Sequence, residues 1–200
     1  MVGIFVATAA SIRPRHGSLS LNKKSQLTNS QIIQAALSVA AENGAGKVTL
    51  DAVAKVAGVS KGGLIYHFPS KIALISAMVQ HLLDEAECQR TQQERTESST
   101  LAAVLQTRAH FTRQIAGNTA MAILAAAAEQ PALLQPVQQH NKDVMQQIQA
   151  EHGNALQATL LLLASEALIY HDLLNLSPFT AAERSALEQQ LVQQARELQV

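Results

Sequence analysis

Residues 57–71 read AGVSKGGLIYHFPSK, and this stretch decides the fold of the first part of the chain. Gly62 and Gly63 stand side by side after a serine, although each glycine costs roughly 1 kcal/mol relative to alanine inside a helix. Tyr66, His67 and Phe68 follow closely, and a proline ends the run. The paired glycines therefore indicate a local requirement that outweighs helix propensity.

The residues around the glycines predict two short helices joined by a tight turn. Thr49 is suited to begin the first helix, and Gly58 can adopt the left-handed conformation that ends it. Ser60 is suited to begin the second helix, which Leu64 would anchor against the first. This is the helix-turn-helix arrangement, whose second helix enters the major groove of DNA by its N-terminal end. Paired glycines at that end would let the backbone approach the groove closely.

The segment from residue 28 to about residue 79 resembles the DNA-binding domain of the TetR family of transcriptional repressors. At Ile65 the chain departs from the family pattern, which has an aromatic residue there. An isoleucine can meet a thymine methyl group but cannot donate a hydrogen bond to a phosphate. The matching positions are Ile33, Ala35, Ala36, Leu37, Asn43, Gly44, Thr49, Val53, Ala54, residues 57–64, Tyr66, His67, Phe68, Pro69, Ser70, Lys71 and Leu74.

The resemblance implies a regulator that works with three kinds of partner. It implies a homodimer formed mainly by the last two long helices, and an effector pocket inside the second domain. It also implies that a bound small molecule releases the protein from DNA. The expected partners are therefore double-stranded DNA with an inverted-repeat operator, an unidentified small-molecule effector and a second copy of the chain.

The DNA contacts expected of this stretch divide into positioning contacts and reading contacts. Tyr66, His67 and Lys71 can donate hydrogen bonds to phosphates, which position a protein without reading sequence. Lys61 and Ile65 lie where base edges come within reach. The predicted DNA-binding residues are Thr49, Ser60, Lys61, Gly62, Gly63, Ile65, Tyr66, His67 and Lys71.

Charge is distributed unevenly along the chain, although its formal net charge is zero. Residues 1–75 contain eight Lys and Arg against two acidic residues, whereas residues 76–200 contain seven against thirteen. A basic first third fits contact with a polyanion. The basic residues of the leader could form an arm in the minor groove or a solvated tail, and they are Arg13, Arg15, Lys23 and Lys24.

Helical spacing of apolar residues throughout the 200-residue chain predicts an all-α fold with three parts. These are a disordered basic leader over residues 1–24, a three-helix helix-turn-helix DNA-binding domain over 25–70, and a helical effector-binding and dimerisation domain over 71–200. Thr28 and Gln31 have the form of a capping box that begins the first helix. After a fourth helix to about residue 95, further helices are predicted over 101–116, 119–129, 132–151, 155–174 and 181–198.

Residues that could line an effector pocket lie on or beside apolar helix faces of the second domain. Each residue taken alone is better explained as a satisfied core group or a surface group. Arg108, His110 and Arg113 together suggest an anionic effector, but a surface location explains these three residues equally well. The predicted effector-binding residues are Arg108, His110, Phe111, Gln114, Met121, Glu166, Tyr170 and His171.

Other classes of function find little support in the sequence. We expect no metal site, no cofactor and no catalytic residue, since the usual motifs are missing and Cys88 has no base nearby in sequence. A single cysteine fits a reducing compartment, so we expect a cytoplasmic protein. Polar residues interrupt the apolar stretch 156–176, so we expect no membrane span. The alternative to a regulator is a helical small-molecule-binding or enzymatic protein whose first domain no longer binds DNA.

Overall fold

The computed structural model describes the backbone of residues 16–114 and 117–198, and the side chains of residues 28–44, 46–110 and 117–198. This part of the chain forms nine α-helices, two short 3-10 helices and no strand, which confirms the predicted all-α fold. The 3-10 helices are Ala45–Lys47 and Pro131–Leu134. The α-helices are α1 (His16–Asn43), α2 (Leu50–Ala57), α3 (Lys61–His67), α4 (Lys71–Gln93), α5 (Thr100–Gln114), α6 (Gly117–Glu129), α7 (Gln135–Glu151), α8 (Ala155–Leu173) and α9 (Ala181–Glu197).

The first helix begins earlier than the sequence predicted. Because α1 starts at His16, the expected capping box at Thr28 lies inside the helix, and that prediction is wrong. Residues 16–24, predicted as part of a disordered leader, are helical. No proline or glycine occurs over residues 18–43, so no helix breaker interrupts this segment. Residues 1–15, with Arg13 and Arg15, lie outside the described residues, and the domain boundaries remain a prediction.

The predicted helix over residues 132–151 is divided in two. The segment Pro131–Leu134 is a 3-10 helix, and α7 begins only at Gln135, with Pro136 in its first turn. Proline lacks a backbone N–H and clashes with the carbonyl four residues earlier, so it is tolerated in a first turn but not within a helix. Among the described residues, no helix combines the length and the apolar character that crossing a membrane requires.

Two clusters of buried apolar side chains organise the helices. The first cluster joins α1–α4 and also takes in Ala122 and Ala126 of α6. The second joins α5, α7, α8 and α9. Helix α6 therefore packs on the N-terminal helices. The Asn118 side chain strengthens this contact, because it donates a hydrogen bond of 2.8 Å to the carbonyl of Ala41, one of the α1 carbonyls that lack a partner within the helix.

Candidate DNA interface and effector region

The turn between α2 and α3 is built by the local chemistry that the sequence predicted. Thr49 caps α2, since its side chain accepts a hydrogen bond of 3.2 Å from the backbone N–H of Ala52. Gly58 adopts the left-handed conformation, with φ 67° and ψ 26°, which glycine reaches without the penalty imposed by a Cβ atom. The backbone N–H of Val59 then bonds the carbonyl of Ala54 at 3.1 Å. The predicted tight turn is confirmed.

One fully buried leucine holds α3 in place. Leu64 has no accessible surface and lies in the same cluster as Val53 and Ala54 of α2. Phe68, directly after α3, is also buried in that cluster. Because a helix of seven residues is not stable alone in water, the orientation of α3 depends on these contacts.

The paired glycines lie in the first turn of α3. The Ser60 side chain caps this helix by accepting a hydrogen bond of 3.0 Å from the backbone N–H of Gly63. A Cβ atom on Gly63 would lie 3.1 Å from the Ser60 hydroxyl oxygen, so this glycine fits closely against the cap. A Cβ atom on Gly62 would meet no atom within 4 Å. Packing among the described residues therefore does not require glycine at position 62.

The predicted contact residues of α3 and the start of α4 are accessible. Tyr66 is 84% exposed, and its ring meets the ring of the half-buried His67 edge-on, with centroids 5.2 Å apart. Ile65 is 39% exposed. Lys71 is the first residue of α4, which Ser70 caps, and its side chain is exposed. The structure therefore leaves these groups available to a partner, and their individual roles remain predictions.

Lys61 has a partner that the sequence did not indicate. Its ammonium nitrogen lies 3.0 Å from both carboxylate oxygens of Asp51, in the first turn of α2. Both side chains remain well exposed. The pair spans ten positions and crosses the turn, so neither helical spacing nor a motif could have revealed it.

The structure brings together two of the eight predicted effector residues. Arg108 of α5 and Glu166 of α8 form an ion pair of 3.0 Å, with only 18% and 25% of their side chains exposed. Met121, Tyr170 and His110 are exposed, and His171 is half-buried. The side chains of Phe111 and Gln114 lie outside the described residues. The assignment of these eight residues to one pocket remains a prediction.

Further charged groups lie near this pair, and sequence reasoning missed them. Arg90 of α4 is largely buried and pairs with both Glu87 and Glu94. The hydrogen bond from Arg90 lowers the pKa of Glu87, mainly because it stabilises the charged carboxylate. Burial lowers the pKa of His140 on α7, which is also influenced by Arg108. Partly buried charges therefore occur on α4, α5, α7 and α8.

A groove of about 650 Å³ runs between α5 and α9. Gln106, Glu188 and Gln193 are among its lining residues, and its walls are mostly polar. None of the predicted effector residues with described side chains lines it. The groove and the Arg108–Glu166 pair are therefore separate features of the second half of the chain.

Helix α8 exposes a row of large apolar side chains. Leu156, Leu160, Leu163 and Tyr170 are spaced by four, three and seven residues, which places them along one side of the helix. Each has at least half of its surface exposed, from 50% to 71%. Leu161 and Leu162 instead lie in the core of the chain. We call the four exposed residues the α8 outer row.

Two models of one family match the chain. Residues 32–78 match the model for "Bacterial regulatory proteins, tetR family". Residues 98–196 match the model for "Tetracyclin repressor-like, C-terminal domain". No curated protein matches the chain.

Solved structures show the same fold at low sequence identity. A TetR-family transcriptional regulator from Rhodococcus sp. is 22% identical, with a TM-score of 0.65 over 88% of this chain and 100% of that one. A TetR family member from Streptomyces coelicolor A3 is 18% identical, with a TM-score of 0.66 over 86% and 99%. The multidrug binding protein EbrR, crystallised with imidazole, is also 18% identical, with a TM-score of 0.62 over 86% and 95%.

The fold and the exposed α3 surface define a helix-turn-helix DNA-binding protein with a second helical part. The two family matches identify its family: the chain belongs to the TetR family of transcriptional regulators. It is therefore a ligand-responsive, DNA-binding transcriptional regulator. These matches also indicate a regulator without enzymatic activity.

Proposed function

We propose that the chain is a cytoplasmic repressor that binds an inverted-repeat operator as a homodimer and leaves it when a small molecule binds. The observation that carries the proposal is the α2–turn–α3 unit. Caps and a left-handed glycine fix this unit, and the first turn of α3 carries a glycine that no internal contact requires. A recognition helix in the major groove is the arrangement that uses all of these features.

The charge around this unit favours a polyanionic partner. Lys47, Lys55 and Lys71 are exposed around α2 and α3, and Asp51 is the sole acidic residue over residues 43–83. Lysines near the duplex attract the phosphate backbone and release its counterions. Affinity for DNA should therefore fall steeply as salt rises.

The α8 outer row supports a homodimer. Exposed contiguous apolar side chains are costly in water and mark protein interfaces. A second copy fits best, because α8 of one chain can meet α8 of another across a two-fold axis with the same residues on both sides. Leu174, Leu176, Phe179 and Leu187 extend the exposed apolar surface toward α9.

The partly buried charges of the second half support a ligand-controlled step. The Arg108–Glu166 pair joins α5 to α8, so a ligand group that replaced either partner would change the contact between the two helices. A ligand can shift an equilibrium between two shapes only through different affinities for them. The EbrR structure shows that a protein of this fold has been crystallised with a small molecule, which is consistent with the proposal.

Selection from a random pool of DNA duplexes tests the proposal. We expect the wild-type chain to enrich an inverted repeat whose half-sites lie about one helical turn apart. Selection without any enrichment would overturn the DNA-binding part of the proposal, and a single unrepeated half-site would overturn the homodimer. Compounds can then be screened for release of the enriched duplex, and Arg108→Ala is expected to weaken release while leaving DNA affinity unchanged.

A further inference from the structure

The Asp51–Lys61 ion pair lies on the surface proposed to meet DNA. Lys61 is the first residue of α3, and Asp51 lies in the first turn of α2. The Lys61 ammonium nitrogen is 3.0 Å from each carboxylate oxygen, so the contact is two-pronged. The side chains are 61% and 69% exposed, so a partner approaching α3 would reach the pair directly.

An acidic residue in this place needs a reason. Asp51 repels a polyanion, and it cancels the charge of the lysine at the start of the recognition helix. Ion pairs this exposed add little to protein stability. A carboxylate in the first turn does stabilise α2 through the helix dipole. This explains why an acidic residue stands at position 51, but not why it contacts Lys61 across the turn.

We propose that Asp51 is a specificity-determining residue that positions Lys61 for a base edge instead of a phosphate. The inference rests on the proposed DNA-binding function and deepens it. A lysine ammonium group has three N–H donors, and the contact with the carboxylate leaves at least one of them free. A phosphate that approached this donor would also approach the carboxylate and be repelled. The O6 and N7 acceptors of guanine are uncharged, so they can accept the remaining donor.

Lys71 provides the contrast within the same surface. It is exposed at the start of α4, and no carboxylate pairs with it among the described side chains. Its full charge is therefore available to a phosphate. We therefore expect different roles for the two lysines. Lys61 contacts a base and contributes little to the salt dependence of binding, whereas Lys71 contacts a phosphate and contributes to the salt dependence but not to sequence preference.

Four variants test the inference, with Asp84→Asn as the matched control because Asp84 is an exposed aspartate on α4 outside the α2–α3 unit. Duplexes are selected from a random pool by the wild type, Asp51→Asn, Lys61→Ala, their double variant and Lys71→Ala. The control Asp84→Asn is treated in the same way and should behave like the wild type. Circular dichroism checks the fold of each. Affinities for the wild-type duplex and for a duplex of unrelated sequence are then measured over a range of salt concentrations.

We expect the wild type to prefer guanine at one position of each half-site. Asp51→Asn should weaken that preference about fivefold and steepen the salt slope by about one, because the freed Lys61 can then neutralise a phosphate. Lys61→Ala should lose the same preference, and the double variant should lose no more. Lys71→Ala should keep the preference and flatten the salt slope by about one.

The outcomes separate the inference from the function on which it rests. An unchanged sequence profile for Asp51→Asn, with uniformly tighter binding, would overturn the inference and leave DNA binding intact. A Lys61→Ala variant that lost preference at a different position would also overturn it. A wild-type chain that enriched no sequence would overturn the proposed function and this inference together.

Discussion

The α3 surface and the α8 outer row are both exposed, but they differ in how the helix is held in place and in which side chains it exposes. Helix α3 has seven residues and one buried side chain, so its position depends on caps, a left-handed glycine and Leu64. Helix α8 has nineteen residues, five of them buried, and packs firmly on its neighbours. What α8 exposes is mainly apolar, whereas α3 exposes the donors Lys61 and Tyr66 together with Gly62 and Ile65.

The difference shows how each surface can be recognised. A polar interface on a short helix gives a recognisable sequence motif, because each cap and turn residue is needed at one particular position. An apolar interface on a long helix leaves no motif, because leucine fits a core and an interface equally well. Only the packing of the other helices shows which leucines remain uncovered.

The largest effect should come from charging the α8 outer row. The double variant Leu160→Glu, Leu163→Glu should be monomeric, because two carboxylates cannot be buried at a two-fold interface without partners. Operator affinity should fall about 100-fold or more, since a monomer engages one half-site without the help of a second. Sedimentation velocity and fluorescence anisotropy measure the two quantities.

Leu124→Glu is the matched control for that variant. Leu124 is 40% exposed on α6, outside the α8 outer row, so its substitution should leave both assembly and affinity near wild type. A doubly charged α8 variant that stayed dimeric would refute the proposed interface. Deleting residues 178–200 would be a poorer test, because it removes Ala195, which is fully buried in the second core.

The next effect concerns the turn that positions α3. Gly58→Ala should destabilise the protein by about 1–2 kcal/mol, because a Cβ atom is strained in the left-handed conformation. Gly46→Ala is the control, since Gly46 has no positive φ and open space around it. Urea unfolding measures both. Equal stability of the two variants would show that the turn does not depend on glycine.

A smaller effect should come from the exposed glycine of α3. Gly62→Ala should weaken operator binding about tenfold while leaving stability unchanged or slightly higher, because alanine favours the helix but its methyl group holds the backbone off the groove. Gly63→Leu should also weaken binding, but here two causes act together, because the new side chain would press on the Ser60 cap as well as hold the backbone off the groove. Gly153→Ala, also in open space, is the control. Tighter binding by Gly62→Ala would indicate a flexible hinge that orders on DNA.

The smallest effect is a pH dependence in the second half of the chain. Burial lowers the pKa of His140 relative to its ordinary value near 6.5, with Arg90 and Arg108 acting in the same direction and Glu87 and Asp143 opposing them. The histidine of the unfolded chain therefore binds a proton more readily than the histidine of the folded chain. The stability of the folded chain is unaffected by this histidine above about pH 6.5 and decreases as pH falls below that value.

The unfolding free energy measured at pH 7.5 and pH 5.5 tests this dependence. His140→Gln should lose less stability than the wild type over this range. Asn141→Gln, at an exposed position of α7 that does not titrate, should behave like the wild type. If His140→Gln lost as much stability as the wild type, this half-buried histidine would not be responsible.

Local chemistry explains which parts of the fold could be predicted from the sequence. Thr49, Gly58 and Ser60 all occupy the cap or turn positions that were predicted for them, because each acts on a backbone group within a few residues. The start of α1 was wrong because nothing local marks it. A helix continues until something stops it, and no breaker stands between residues 18 and 43.

Contacts between distant residues could not be predicted in this way. Asp51 and Lys61 are ten residues apart, Arg108 and Glu166 are separated by 58, and Asn118 reaches Ala41 over 77. The sequence named Arg108 and Glu166 as candidates from their positions on helix faces, but it could not pair them. It also contained an apolar stretch over residues 156–176, without showing which leucines would stay exposed.

The mass of the complex formed with the selected duplex tests most directly whether α3 reads DNA while α8 joins two copies. Sedimentation of the wild-type chain with that duplex should show two chains on each duplex. The Leu160→Glu, Leu163→Glu variant should show one chain at the same concentration, or none. A wild-type complex with one chain per duplex would contradict the proposal that α8 joins two copies of the chain while α3 binds DNA.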